Sequence, residues 1–391
     1  MPTFADGKIE AYVGPPRLGA ADDLEAVIVD FIAGARRKLD IAVQELDSLA
    51  IAQAILAASW RGVRVTLFLE QDYLRTPLKR DKATRVPIPP VARPGETPAA
   101  ALARVQWGED DTGLETNRRI LAALLRSDVE VRGDFNPGIF HQKFILRDYD
   151  GGKATKPGDP ALLSGSANFT WTDTHVNLNN VFVFRNAFIC RQYEQEFEQL
   201  RRGSFGRGMH GDVPGTYALG GVPVKVLFAP DHTPELEFMK QMLKGTSEVA
   251  FAIFTFAGSS GIDDTMLSLA RGGMRIRGVL DPGQAAQKWA APQTLAADGI
   301  ELFVPERRGA LEDLRKLHHK LMVIDEQVVV AGSFNYTQPA NDFNDENLFV
   351  IGSVAPKVGD LNVDKAACQA IARHMKTEIE RIIAGSRKFS P

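Results

Sequence analysis

Cysteine is nearly missing from this chain of 391 residues, which carries only Cys190 and Cys368. Two isolated thiols exclude a disulfide framework and a cysteine-based zinc site, and leave buried, reduced side chains as the plain reading. Long apolar runs are missing too. No segment approaches the roughly 18 continuous apolar residues of a membrane span, and the opening MPTFADGKIEAYVGPP has no basic start followed by an apolar stretch. The chain is therefore expected to be soluble and cytoplasmic, without integral membrane association. Neither sign of charge dominates: 46 Lys and Arg stand against 49 Asp and Glu, a net charge of -3. That balance excludes the broad basic footprint of a typical nucleic-acid binder, so any site for a polyanion must be a local patch. No metal-ligand spacing and no Gly-x4-Gly-Lys-Ser/Thr phosphate loop is present, so neither a metal nor a cofactor is expected.

What is present is a repeat. The strand-like KIEAYVGPP (residues 8–16) returns as VPVKVLFAPD (residues 222–231), and LDIAVQEL (39–46) returns as VAFAIFTF (249–256). A helical pattern follows each, and then RGVRVTLFLE (61–70) matches GGMRIRGVLD (272–281). Alternating 2-residue and 3.6-residue periods in the order strand, helix, strand predict an α/β fold with mostly parallel sheets flanked by helices, in two homologous halves. The halves are expected at 1–205 and 222–391, with the glycine-rich, aperiodic stretch 206–221 as a linker. The first half is longer by an insertion at 71–115, which contains the basic run RTPLKRDKATR and the proline-rich VPIPPVARPG. A lid over a site and a tolerated surface excursion are both open readings of it. A second extension, YDGGKATKPGDP, predicts an elongated hairpin after Asp148.

Each half contains the spacing His-x-Lys-x4-Asp: HQKFILRD from His141 to Asp148, and HKLMVID preceded by His318, ending at Asp325. In a strand, alternation puts His141 with Lys143, and His318 with Lys320, on one face, while Asp148 and Asp325 fall on the other and hold the scaffold. A Gly-Ser-x-Asn turn follows each motif, bringing Ser166 with Asn168 and Ser333 with Asn335. Such a set suits a phosphate. Lysine supplies charge, serine and asparagine supply donors, and histidine attacks phosphorus or moves a proton.

Two copies of His-x-Lys-x4-Asp, each followed by Gly-Ser-x-Asn on the same repeat, resemble the phospholipase D superfamily over nearly the whole chain. The resemblance implies a pseudo-two-fold fold in which both motifs meet in one site. It also implies that one histidine becomes phosphorylated while the other protonates the leaving oxygen and then activates water, with no metal required. By the same resemblance, Lys143, Lys320, Asn168 and Asn335 hold the non-bridging oxygens.

Twelve positions separate Asn168 from Asn180 and Asn335 from Asn347, and just before these lie Asn179 in one half and Glu346 in the other. A carboxylate on one imidazole nitrogen fixes the tautomer and frees the other nitrogen. Glu346 reaching across to His141, together with the assignment that the resemblance implies, makes His141 the expected nucleophile and His318 the general acid and base. The expected activity is a metal-independent nuclease, with single-stranded DNA or RNA favoured as substrate and Phe169, Trp171, Tyr336 and Phe343 as candidate stacking residues. A phospholipase D or phosphatidyltransferase is the alternative, and an inactive scaffold the third reading. The halves form a pseudo-dimer within one chain, so a monomer suffices.

Overall fold

The computed structural model describes residues 2–74, 94, 95, 97, 114–151 and 160–390. The basic and proline-rich parts of the 71–115 insertion and the tip of the hairpin after Asp148 lie outside the described residues, and the expectations placed on them are not taken further. Among the described residues, no helix is long and apolar enough to cross a membrane.

The first half contributes β1 (Thr3–Phe4), β2 (Ile9–Gly14), β3 (Lys38–Val43), β4 (Arg64–Leu69), β5 (Glu130–Gly133), β6 (Lys143–Arg147), β7 (Ala161–Gly165) and β8 (Asn177–Phe184). They pair in the order β1-β2-β8-β7-β6-β3-β4-β5. Helices α1 (Leu24–Ala33) and α2 (Leu49–Trp60) link β2 to β3 and β3 to β4, α3 (Leu114–Leu125) precedes β5, α4 (Trp171–His175) joins β7 to β8, and α5 (Ala187–Arg201) closes the half. The second half repeats this with β9 (Thr216–Leu219), β10 (Val222–Ala229), β11 (Glu248–Ile253), β12 (Arg275–Leu280), β13 (Glu301–Pro305), β14 (Lys316–Leu317), β15 (Lys320–Ile324), β16 (Val328–Gly332) and β17 (Glu346–Gly352). Its helices are α6 (Pro234–Lys244), α7 (Gly261–Arg271), α8 (Gln338–Asp342) and α9 (Lys365–Ala384). The order β10-β17-β16-β15-β11-β12-β13 copies the first sheet strand for strand. The duplication read from the sequence is a duplication of topology.

The sheets are more mixed than the expected mostly parallel pairing. β3, β4 and β5 are parallel, as are β11, β12 and β13, because long crossovers join them. The motif strand and the two after it are antiparallel, since the connections from β6 to β7 and from β15 to β16 are hairpins. The stretch 206–221 is likewise not all linker. Thr216–Leu219 forms an edge strand on β10, and Gly220 and Gly221 take positive φ values of 53° and 77° to make the two-residue turn between them.

Alternation along the strands sorts apolar residues between two layers. In β6, Ile145 faces the helices α1 and α2, while Phe144 and Leu146 face the core shared by the halves, where Phe144 packs on Tyr193 and Phe197 of α5. In β15, Met322 and Ile324 face outward to α6 and α7, while Leu321 and Val323 face inward. The inward faces build one core common to both halves. There Phe349 meets Phe182 and Phe184 edge-on, with centroids 4.9 and 5.1 Å apart, and Tyr193 of α5 packs on Phe228 of β10 at 5.0 Å. Edge-on aromatic pairs contribute beyond their buried area.

Asp148 and Asp325 act on this scaffold. Each follows its motif strand in the left-handed region, at φ 55° and 50°, which aspartate tolerates better than most residues. Asp148 accepts the main-chain N–H groups of Arg36 (3.1 Å), Arg37 (2.8 Å) and Lys38 (3.1 Å), and Asp325 those of Thr246 (2.7 Å), Ser247 (2.9 Å) and Glu248 (2.9 Å). Each therefore ties the entry of the neighbouring strand to the end of the motif strand. Asp148→Ala is expected to lower unfolding free energy by about 2–4 kcal/mol, since buried donors lose their acceptor. Asp325→Ala is expected to cost less, because its site is half-exposed and water replaces the carboxylate. Urea denaturation reads both; a loss below about 0.5 kcal/mol for Asp148→Ala would contradict this role.

Candidate active site

Both motif histidines hang on the backbone of the opposite half. His141 precedes β6, and its N–H donates to the Asp345 carbonyl at 2.9 Å, beside a parallel bridge between Phe140 and Asp345. His318 lies between β14 and β15. Its N–H donates to the Leu178 carbonyl at 2.9 Å, and β14 pairs in parallel with β8. A carboxylate just after β4 or β12 fixes the residue ahead of each histidine: Glu70 Oε2 accepts from Phe140 N–H at 2.7 Å, and Asp281 Oδ2 from Leu317 N–H at 3.0 Å. These two acids end the aligned segments RGVRVTLFLE and GGMRIRGVLD, so the signal for them was present in the repeat.

The imidazoles are wired across the interface as well. His141 Nδ1 lies 2.6 Å from Glu346 Oε2, the contact expected from the sequence. Glu346 also accepts Ser333 Oγ–H at 2.5 Å and Asn344 Nδ2–H at 3.1 Å. On the other side, His318 Nδ1–H donates to Asn179 Oδ1 at 3.0 Å, and Asn179 in turn accepts Ser166 Oγ–H at 2.7 Å. The two serines thus stand behind the residues that orient the imidazoles, rather than beside the asparagines as donors to a ligand. Ser166 and Ser333 also accept the N–H groups of Asn180 and Asn347 at 3.0 Å each, which turns both side chains away from the site.

One carboxylate escaped the sequence reading. Asp173, in α4, places Oδ2 3.6 Å from His318 Nδ1 and accepts the Asn168 N–H at 2.7 Å. Its aligned position in the second half is Ala340, so the repeat offered no counterpart. The absence of an acid at Asn179 is therefore partly made good from the next helix.

Lys143 Nζ donates to the His141 carbonyl at 3.0 Å and Gln44 Oε1 at 3.3 Å. Lys320 Nζ donates to the His318 carbonyl at 2.9 Å and lies 5.2 Å from the centre of the Phe254 ring. Asn168 is buried, with Oδ1 unpartnered, while Asn335 is half-buried and its Oδ1 accepts the Thr255 N–H at 3.3 Å. The structure thus assembles two imidazoles, two ammonium groups and two carboxamides from both halves. The stacking candidates fare differently. Phe169 and Tyr336 are core residues, and Trp171 stacks on His175 at 5.0 Å, next to Glu25. Phe343 is partly exposed, with the Arg207 guanidinium 4.3 Å above its ring. Phe254, missed in the sequence, stands 5.0 Å from the His318 ring.

Electrostatics make this an anion site. Burial pushes His141 down to about 4, outweighing the upward pull of Glu346, so its imidazole is neutral at pH 7. Burial and the neighbouring lysines hold His318 well below the usual histidine range. Burial brings Lys143 down to about 8, and burial with the Lys143 charge holds Lys320 well below the ordinary lysine range. Four basic groups crowd one space, and Glu346 and Asp173 are the carboxylates that bear on them. An anion raises their pKa values, so binding takes up protons between the free and bound values. Titrating tungstate into the protein at pH 8.5, in buffers of different ionisation enthalpy, is expected to show net proton uptake and an affinity that falls as pH rises through about 8. Proton release, or an affinity flat from pH 7 to about 9.5, would contradict this picture.

The fold and site define a duplicated α/β protein whose two His-Lys pairs, one from each half, lie within electrostatic reach of one another. A family model described as "Cardiolipin synthase, PLD-like domain" matches residues 28–201 and 239–378, and the chain belongs to the phospholipase D superfamily. It is 25% identical over 166 residues to a mitochondrial cardiolipin hydrolase of Xenopus tropicalis, a match covering 42% of this chain and 55% of that protein. It is 31% identical over 96 residues to a phospholipase D of Rickettsia bellii, covering 23% of this chain and 45% of that protein. The chain thus spans about half the length of these curated relatives. The fold matches that of a phosphatidylserine synthase of Haemophilus influenzae Rd KW20, with a TM-score of 0.62 and 12% identity, over 100% of this chain and 88% of that one.

Proposed function

We propose that the chain is a phosphodiesterase working through a phosphohistidine, and that its substrate is single-stranded nucleic acid. His141 Nε2 attacks phosphorus, forming an N–P bond as the P–O bond to the leaving group breaks, and His318 gives that oxygen its proton. Neutral His318 then takes a proton from water, whose oxygen attacks phosphorus and breaks the N–P bond. Lys143, Lys320, Asn168 and Asn335 hold the non-bridging oxygens while charge builds on them. The contact between Glu346 and His141 Nδ1 supports the choice of nucleophile, because it stabilises the imidazole as it becomes cationic. His318 begins with a depressed pKa, and the bound phosphate restores the proton that an acid needs.

The observation that carries the substrate assignment is Phe254. Its half-buried ring adjoins His318, the residue that faces the leaving group, and lies 5.3 Å from Lys316 Nζ. The Lys316 and Lys320 ammonium groups lie over this ring, and an aromatic ring paired with cations suits a base next to its phosphate. A phospholipid substrate is the second reading. It is favoured by the names of the curated relatives and by Phe135 and Ile139, which are exposed on the loop leading to His141.

The purified protein incubated with labelled single-stranded DNA, duplex DNA, RNA, and vesicles of phosphatidylcholine or cardiolipin, each with and without EDTA, decides between them. Cleavage of single-stranded substrate that EDTA leaves unchanged is expected, with Phe254→Ala raising KM about 10-fold. Lipid headgroup release with all nucleic acids intact would sink the nuclease reading, and EDTA-sensitive cleavage would sink the metal-independent mechanism. Separately, His318→Asn is expected to trap a phosphoenzyme that His141→Asn does not form; the reverse pattern would exchange the two roles.

A further inference from the structure

The helices that close the two halves differ at the position of Arg381, and the difference leaves a buried acid without a cation. In α9, Glu378 is gripped by Arg381, whose Nε and Nη2 each donate at 2.7 Å, with His319 Nε2 3.5 Å away. Aligning the buried faces of the helices, Ile189, Tyr193 and Phe197 on Ile371, Met375 and Ile379, puts Glu196 on Glu378 and Gln199 on Arg381. Glu196 is only 2% exposed. Its Oε1 accepts from Gln142 Nε2 at 3.0 Å, and no cation pairs with it among the described residues. The charges that bear on it are two further acids, Asp231 and Asp345, and both carboxylate oxygens of Asp231 are themselves without a hydrogen bond.

Where Arg381 fills its space in the second half, the first half has a cavity of about 350 Å³ at the seam between the halves. Glu196 and Gln199 line it, together with Gln195, Asp212 and His232. Arg202 also borders it but is exposed and forms no ion pair among the described residues.

We propose that this cavity binds a small alkylguanidinium cation, with Glu196 as its counter-ion, in the place that Arg381 occupies in the other half. A buried carboxylate without a counter-charge is strongly disfavoured, and a guanidinium answers it with two parallel donors as Arg381 does for Glu378. An ammonium offers no such fork. Burial and the two neighbouring acids push Glu196 well above the ordinary carboxylate range, and a bound cation lowers it again. The cavity volume suits a ligand of this size.

Calorimetric titration of agmatine into the full chain at fixed ionic strength, with putrescine as the diamine control, tests the proposal. Saturable binding at one site per chain, at least tenfold tighter than putrescine, is expected. Glu196→Gln should weaken it at least tenfold. Gln199→Arg supplies the guanidinium from within the chain, and should also weaken agmatine at least tenfold while raising the melting temperature. Equal affinity for putrescine, no saturable binding, or unchanged agmatine affinity in Gln199→Arg would each overturn the assignment. The last of these decides even where Glu196→Gln fails to fold.

Discussion

The contact on which the rest of the structure depends is the reach of each half across the interface to the other's histidine. Glu346 and Asn179 bond the Nδ1 atoms of His141 and His318, and the main chains of Asp345 and Leu178 receive the N–H groups of the same residues. Neither half holds its own imidazole. The shared aromatic core around Phe182, Phe184 and Phe349 is therefore more than a hydrophobic seal, because its packing sets the distance between groups that come from different halves. In close-packed interiors small shifts are not absorbed locally, and orientation within a fraction of an ångström matters for in-line attack at phosphorus.

Much of this was legible in the sequence because it is written in short-range patterns. Alternation put histidine and lysine together, the repeat gave the topology, and the register of Glu346 against Asn179 named the partner of His141. The roles of Asp148 and Asp325 also followed from spacing, although each acts from a left-handed turn rather than from the far face of a strand. What stayed hidden depends on lateral neighbours. Asp173 reaches His318 from a five-residue helix whose counterpart in the second half has Ala340 at that position, and Phe254 adjoins His318 because β11 runs antiparallel beside β15. Parallel pairing was over-predicted for a related reason. Strand order along the chain does not say which strands are neighbours, and β6 inserts between β7 and β3.

The middle residues of the motifs show how the halves have diverged while keeping one plan. Gln142 and His319 both point away from the site and both meet an asparagine of the opposite half: Asn347 Nδ2 donates to Gln142 Oε1 at 2.8 Å, and Asn180 Nδ2 lies 3.0 Å from His319 Nδ1. Behind them stand Glu196 and Glu378. The plan is symmetric in position and differs in chemistry, since an amide occupies one half where an imidazole occupies the other. Burial makes such differences costly unless each is answered by its surroundings.

The pairing of Asn179 with Glu346 has a consequence for how the molecule can be assembled. Two copies of the first half brought together would back both imidazoles with amides, and two copies of the second would back both with carboxylates. Only one of each yields an unequal pair. The covalent connection between the halves thus does the work of a stoichiometric control: it guarantees a one-to-one union that two free, near-identical subunits would reach only as one outcome among three. Once Asn179 and Glu346 had become different, separation into a symmetric dimer was closed to this chain.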